Sequence, residues 1–409
     1  MKVSAISYTA SFSGLNMLGN GLRVGMSLLT AVLAAQLLGA ENFGEVNLIL
    51  AYATFMTYFL TLGFVHSLPY YVPRYEADRQ MGVAKELLRY SSILILLTGV
   101  AIVFLSGLTL PSLFQKTDKT HLFWPAFIFV LQAPLWALGR TFIGFLRGAK
   151  NFIPAIIGDQ ILGPFVQLVS LVVFVQWMSG TMAYMASYAF TTILVLFYTS
   201  LYLRKLLRTE RWKTTNQLTA TDPLRKGEWL RYSLPLAAIA MIDPLIAWVT
   251  VMVAGLFLNV GEVGYISVAL RMALLVQFLL VALNPIFAPY MSELYKKGSP
   301  SEFRNFYQTI VYWHCKWSLL FTFVLAVAGE QVLAAFGSEY RLALPMMLWM
   351  LPGILFEGAF GPIKTCLMMT GHSQISVWNS AFALLVNGVL GLWLTPKWGI
   401  SGVAFAFSM

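Results

Sequence analysis

Charge is scarce in this chain: only 11% of its 409 residues are Asp, Glu, Lys or Arg, against about 25% in an ordinary soluble domain. Acids are scarcer than bases, 17 against 27, which leaves a net charge of +10. A hydrophobic content of 58% excludes a disordered protein. Two cysteines, Cys315 and Cys366, cannot staple so long a chain, which excludes a secreted disulfide scaffold. The four histidines, His66, His121, His314 and His372, are scattered without metal-ligand spacing, and there is neither a zinc signature nor a phosphate-binding glycine loop. No metal and no cofactor is implied. A membrane enzyme would need an aqueous loop presenting acids, bases or a nucleophile. The external loops are too short for that, and the longest loop, about Arg204 to Arg231, is basic and poor in carboxylates. Nucleic-acid binding would require the basic residues to share one soluble face, so it is not the reading of the +10.

What the chain has is long apolar runs, with a mean hydropathy of +0.73. Runs bounded by charge or by Gly/Pro/Asn clusters predict helices near 14–38, 43–66, 90–110, 122–146, 153–175, 182–203, 232–257, 264–290, 307–328, 343–370 and 376–395, each long enough to span a bilayer. A twelfth begins near Gly399 and is cut off at Met409, so a fragment is expected. The first helix is expected to be retained: Arg23 interrupts the apolar region of a secretory signal, although Ala34-Ala35-Gln36 mimics a cleavage site. With the N-terminus inside, 18 of the 27 bases fall on the cytoplasmic side, whereas the opposite loops hold only Lys116, Lys119, Arg341 and Lys397. That asymmetry predicts a multi-pass protein of the inner (plasma) membrane with a cytoplasmic N-terminus.

The halves resemble one another. A shift of 220 positions lays Gly44 on Gly264, Pro69-Tyr70 on Pro289-Tyr290, Tyr75 on Tyr295 and Pro125 on Pro345. Because six helices is an even number, both halves cross in the same sense. The expected fold is all-α and integral to the membrane: about twelve transmembrane helices, the last truncated, in two six-helix lobes related by a pseudo-twofold axis along the membrane normal. The expected boundaries are a lobe at 1–204, a polar cytoplasmic linker at 205–231 and a second lobe at 232–409.

Polar residues inside the spans point to function. Ser13, Asn16, Asn20, Arg23, Ser27 and Thr30 lie on one face of the first helix, and Asn47, Thr54, Tyr58 and Thr61 on one face of the second. Gln132, Trp136, Arg140 and Arg147 stripe the fourth, and Tyr184, Tyr188, Thr191 and Tyr198 the sixth. Several stripes in one lobe suit a shared aqueous cavity; interhelical hydrogen bonding is the plainer alternative for any single Ser, Thr or Asn. Five bases lie within spans, Arg23, Arg140, Arg271, Lys316 and Lys364, against three acids, Asp159, Asp243 and Glu357. Each is costly there, by about 2.5–3.5 kcal/mol on insertion scales. Arg23 falls on Asp243 under the 220-residue shift, so the two are expected at similar depth, as a salt bridge across the lobe interface or as a purely structural pair. Glu357 sits among Pro352, Gly358, Gly361 and Pro362, where a bent helix could tune it to exchange protons; a local pair with Lys364, seven residues on, is the alternative. Arg140, Arg147 and Lys316 lie toward cytoplasmic helix ends and can snorkel to lipid phosphates instead.

The run Leu38-Gly39-Ala40-Glu41-Asn42-Phe43-Gly44 after a polar first helix, and the turn Arg147-Gly148-Ala149-Lys150-Asn151-Phe152 before the fifth, resemble polysaccharide and O-antigen flippases. These are members of the multidrug/oligosaccharidyl-lipid/polysaccharide exporter superfamily. The resemblance implies that an undecaprenyl-pyrophosphate-linked oligosaccharide (a unit of O-antigen, capsule or exopolysaccharide) is moved from the cytoplasmic to the outer leaflet by alternating access. On that reading Arg23, Arg140, Arg271 and Lys364 bind the pyrophosphate as charge-assisted donors. Asn16, Asn20, Asn47, Tyr58, Trp136, Tyr184 and Tyr188 line a polar and aromatic path for the sugar. Asp243, Glu357 and Asp159 are candidates for coupling or gating. Membrane lipids, a polysaccharide polymerase and assembly proteins are the implied partners. The alternatives are a proton- or sodium-coupled multidrug exporter of the same fold, which the net +2 within the membrane opposes, and a membrane-embedded glycosyltransferase or ligase.

Overall fold

The computed structural model describes the backbone of residues 2–116, 119–178, 180–213, 223–278, 287, 290–291, 294–295 and 299–409, and their side chains apart from 2–15, 17, 55–59, 211, 213, 223–225, 239–240, 243 and 373. Every regular element among the described residues is helical. Hydrocarbon offers no water to satisfy a free amide or carbonyl, so a chain this apolar closes its hydrogen bonds within helices. In order these are α1 (Lys2–Tyr58), α2 (Phe64–Ala77), α3 (Met81–Lys116), α4 (Phe123–Gly148), α5 (Phe152–Ile156), a π segment (Ile157–Leu162), α6 (Gly163–Phe174), α7 (Gly180–Leu207), α8 (Glu210–Lys213), α9 (Pro223–Phe257), α10 (Val260–Leu275), α11 (Pro300–Ala334), α12 (Leu344–Ala359), α13 (Ile363–Met369), α14 (Ser373–Trp398) and α15 (Ile400–Ser408). Eight helical stretches among the described residues are long and apolar enough to cross a membrane, with Pro244–Phe257 as a shorter apolar helix. The spans expected from 90–110 to 182–203 and from 307–328 to 376–395 coincide with seven of the eight. The first expected span and most of the second form the continuous run α1; the second ends beyond α1, in the turn before α2 and its first residues. The run α1 is divided where Gly39 takes φ 76° and ψ 170°. A side chain would be strained there, which is why the turn carries glycine.

The chain divides into two compact units. One comprises Met1–Gly21, Ala31–Leu48 and Ile242–Met409. Its packing centres on a helix crossing made by glycines. A Cβ on Gly44 would lie 1.9 Å from the carbonyl oxygen of Val260, and one on Gly264 would lie 2.5 Å from that of Ala40. The contact is reciprocal, and its members are the residues that the 220-residue shift superposes. Beside it, Gln36 Nε2 donates to the carbonyl of Ala335 at 2.7 Å, and the Ala40 N–H donates to Glu339 Oε1 at 2.8 Å. Tyr340 is fully buried, edge-on to Phe43 and to Tyr265. Glu339 thus takes up a backbone amide left open at the break at Gly39, which is how a helix restart avoids an unsatisfied donor.

The other unit comprises Leu22–Thr30 and Ile49–Met241. Its core gathers Phe64, Leu68 and Val72 of α2, Leu87 of α3, Phe145 of α4, and Trp212 and Trp229. The two tryptophans alter the picture of a polar linker. Each is only 1% exposed, so the segment's described ends are folded into this core. Lys85 Nζ donates to the carbonyl of Trp212, Trp229 Nε1 donates to Tyr75 Oη at 2.8 Å, and Lys226 pairs with Glu86 at 3.5 Å. Tyr71 lies beside Tyr70, Tyr75 and Tyr232; burial first, then these neighbouring phenols, push its pKa up to about 12. It stays a neutral hydroxyl at any physiological pH.

The glycine crossing generates a stability prediction. Gly44→Ala forces a backbone shift and is expected to cost about 1–3 kcal/mol. Gly21→Ala, whose Cβ would meet nothing within 4 Å, is expected to be neutral or stabilising. The midpoint of thermal unfolding in detergent, compared across the two variants, checks this; equal midpoints would contradict it.

Candidate functional site

The polar stripe on α4 sets up the site. Arg140 and Arg147 are seven residues apart, two turns along one helix face. Both guanidiniums converge on the carboxylate of Asp159: Arg140 Nη1 pairs with Oδ1, and Arg147 Nη2 with Oδ2 at 2.6 Å. Asp159 stands in the π segment Ile157–Leu162. The cause is local, since Pro164 has no N–H to give the carbonyl of Gln160 and the hydrogen-bond ladder widens there. Gly158 lets this segment close on α7, because a Cβ there would be 3.2 Å from Thr199 and 3.4 Å from Tyr198.

The pairing leaves charge over. The Asp159 side chain is 9% exposed, whereas those of Arg140 and Arg147 keep 34% and 31%. Each guanidinium has five N–H donors, so one buried carboxylate leaves most of them available. Arg23, exposed on α1, is within electrostatic reach of Asp159. His66 stands in the field of both Arg140 and Arg147. Arg140 also lies over the Trp136 ring, 5.7 Å from its centroid. Among the described residues three guanidiniums thus stand against one carboxylate, an anion-seeking arrangement at the edge of apolar helices.

Arg140 and Arg147 are therefore tied to Asp159, while about a third of each side chain stays exposed. The remaining predicted residues lie elsewhere. Arg271 donates from Nη2 to Asn47 Oδ1 at 3.1 Å and lies over Phe43; Asn47 in turn donates to the carbonyl of Phe43 at 2.7 Å. Lys364 pairs with Glu357 at 3.2 Å, and Gln277 Nε2 donates to the same carboxylate at 2.5 Å. The helix does break where the prolines and glycines foretell it, after Ala359 and with Gly361 at φ 59°. Tyr184 is buried in α7, and Tyr188 packs against Phe129 with ring centroids 4.9 Å apart. Near them Gln167 donates to Ser187 Oγ at 2.9 Å, the interhelical bonding that is the plainer reading of such stripes. Asn16 and Asn20 are half-buried on α1. The side chains of Tyr58 and Asp243 lie outside the described residues.

Sequence reasoning missed two participants. Arg147, placed with Arg140 on the stripe of the fourth helix, was left out of the expected head-group ligands, although its seven-residue spacing from Arg140 was visible. His314, read as scattered, is 3% exposed beneath the broken helix, its Nδ1 2.9 Å from the carbonyl of Gly358. No local pattern announces that contact. Among the described residues no group of three or more His, Cys, Asp or Glu is placed to hold a metal ion.

Comparison with known proteins adds the family. The profile of the family described as polysaccharide biosynthesis protein matches residues 13–295. The chain belongs to that family. No curated protein matches the sequence. Among solved structures the chain is similar to the inward-facing conformation of a multidrug resistance MATE family transporter of the MOP superfamily. The TM-score is 0.80 at 16% identity, over 94% of this chain and 90% of that one. It is similar also to the lipid II flippase MurJ in an inward closed conformation, with TM-score 0.71 at 16% identity, over 96% and 84%. A third is a MOP superfamily transporter from Pyrococcus furiosus, described by a reversed polarity of its binding pocket, with TM-score 0.67 at 15% identity, over 97% and 90%. At these identities the likeness establishes the fold: an all-α, multi-pass membrane protein with the twelve-helix, two-lobe architecture.

The site makes an energetic prediction. Asp159→Asn leaves two guanidiniums facing each other without their counter-charge. The double variant Arg140→Gln/Asp159→Asn should recover part of the lost stability, with a coupling energy of about 0.5–3 kcal/mol in a double-mutant cycle. Additive losses would show that the pair is not coupled.

Proposed function

We propose that this protein moves a lipid-linked oligosaccharide with a pyrophosphate head group from the cytoplasmic to the outer leaflet by alternating access. The observation that carries the reading is the sharing of Asp159 by Arg140 and Arg147, with Arg23 in reach, which leaves an excess of positive charge at the edge of the membrane helices. A pyrophosphate offers several anionic oxygens, and guanidiniums bind such groups in bidentate fashion. Trp136, adjoining Arg140, supplies an apolar ring against which a sugar face can rest. Arg23 and Arg140 are the proposed head-group ligands, joined by Arg147. The lipid tail remains in the bilayer, and a polysaccharide polymerase and assembly proteins act on the delivered unit. Membership of the polysaccharide biosynthesis family supports a glycan as cargo.

Arg271 and Lys364 act as further cationic contacts in this proposal, and Asp243, Glu357 and Asp159 as the groups that bias one state over the other. The protein acts as a transporter and not as an enzyme, at the plasma membrane with its N-terminus inside. A second reading, a cation-coupled exporter of cationic drugs, has in its favour the likeness at TM-score 0.80 to a multidrug transporter. The sign of the charge around Asp159 opposes it.

The test is complementation of cells that lack their own exporter for a lipid-linked glycan. Wild type should restore surface polysaccharide. Correctly inserted Arg140→Gln and Arg147→Gln variants should each lower it about tenfold, the scale of one lost charge-assisted hydrogen bond. Full restoration by the double variant Arg140→Gln/Arg147→Gln, or export of a cationic dye in place of glycan, would overturn the proposal.

A further inference from the structure

A cavity of about 300 Å³ lies in the unit that holds Ile49–Met241, between α1, α3 and α4. Its size is at the lower end for small-molecule sites. Tyr52, Leu110, Ala126 and Val130 supply carbon to its wall. Thr109 and Ser112 also line it, but both hydroxyls are turned back on their own helix, donating to the carbonyls of Leu105 and Thr109 at 2.9 Å each. Ser106 and the phenol of Tyr52 add two further hydroxyls to the lining, yet with those of Thr109 and Ser112 engaged the wall presents mainly hydrocarbon. Pro111 has no amide to give the carbonyl of Gly107, which loosens α3 at this level. The charged side chain in the lining is that of Lys116, the last residue of α3.

Two features select the occupant. An apolar chamber with one ammonium at its rim fits a molecule that joins a hydrocarbon tail to an anionic head. The same stretch of α3 exposes Phe104, Leu105 and Leu108, each by more than half, so the helix meets hydrocarbon here and the occupant arrives from the bilayer. We propose that this cavity holds one acyl chain of an anionic phospholipid, with the phosphate on Lys116. The site is separate from the arginine cluster, and the inference does not depend on the transported substrate.

The test uses the full chain reconstituted in vesicles of equal phosphatidylglycerol and phosphatidylcholine, extracted in mild detergent and weighed with its retained lipid by native mass spectrometry. Wild type should retain phosphatidylglycerol in about fivefold preference, the scale of one lysine at a membrane surface. Lys116→Gln should bring the ratio to parity. Thr109→Trp, at an exposed lining position, should empty the cavity of both lipids while leaving the charge in place. Both variants should melt at the wild-type temperature in lipid-free detergent, which separates lost binding from lost folding. Equal retention of the two lipids by wild type would overturn the proposal. So would a preference unchanged in both variants, or displacement of the lipid by inorganic phosphate alone.

Discussion

Asp159 is the carboxylate shared by two arginines on one face of α4, and the charge of its surroundings follows from that arrangement. Removing an ion from water is expensive, and breaking a covered pair costs more than the pair contributes. One carboxylate can hold two guanidiniums in place without neutralising them. The arrangement therefore does two things together: it fixes Arg140 and Arg147 in a set geometry, and it leaves their spare donors and a positive excess for an anion. The π segment matters because it carries Asp159 and owes its widened ladder to Pro164. A regular helix would satisfy its own backbone more fully, so the departure marks a place where position is kept at some expense of stability.

Elsewhere the architecture rests on close backbone approach. Lipid tails are as apolar as leucine, so helices in a membrane associate through packing and hydrogen bonds, and small residues let them approach. Gly44 and Gly264 bring α1 and α10 to contact distances that no side chain could share. Gly63, Gly144 and Gly148 do the same within the other unit, the last two against the backbone of α2. Buried tryptophans act at the other extreme of size. Trp212 and Trp229 fill the core beneath α2 and α3 and tie down segments whose composition is otherwise that of a solvated loop.

Much of this was legible in the sequence. Hydropathy marked the spans because hydrocarbon admits little but closed helices, and the bend near Glu357 was legible because Pro352, Gly361 and Pro362 leave few alternatives. The shift that superposed Gly44 on Gly264 picked out residues that meet at one crossing. Other features had no local signal. That Arg140 and Arg147 would share Asp159 depends on how a π segment turns a residue 12 and 19 positions away. The burial of Trp212 depends on partners as distant as Lys85, and charge counting assigned its surroundings to a linker. The pairing of Lys364 with Glu357 was one of two alternatives that spacing alone left open.

The central claim is that the cluster around Asp159 recognises an anionic, pyrophosphate-bearing lipid. Its most direct test is equilibrium binding by the purified protein, comparing a polyprenyl-pyrophosphate-linked sugar with a cationic drug across a salt series. The account predicts that the lipid-linked sugar binds, that its affinity falls as salt rises, and that Arg147→Gln weakens it while flattening the salt dependence. Tighter binding of the cationic drug, abolished by Asp159→Asn and untouched by Arg147→Gln, would contradict it.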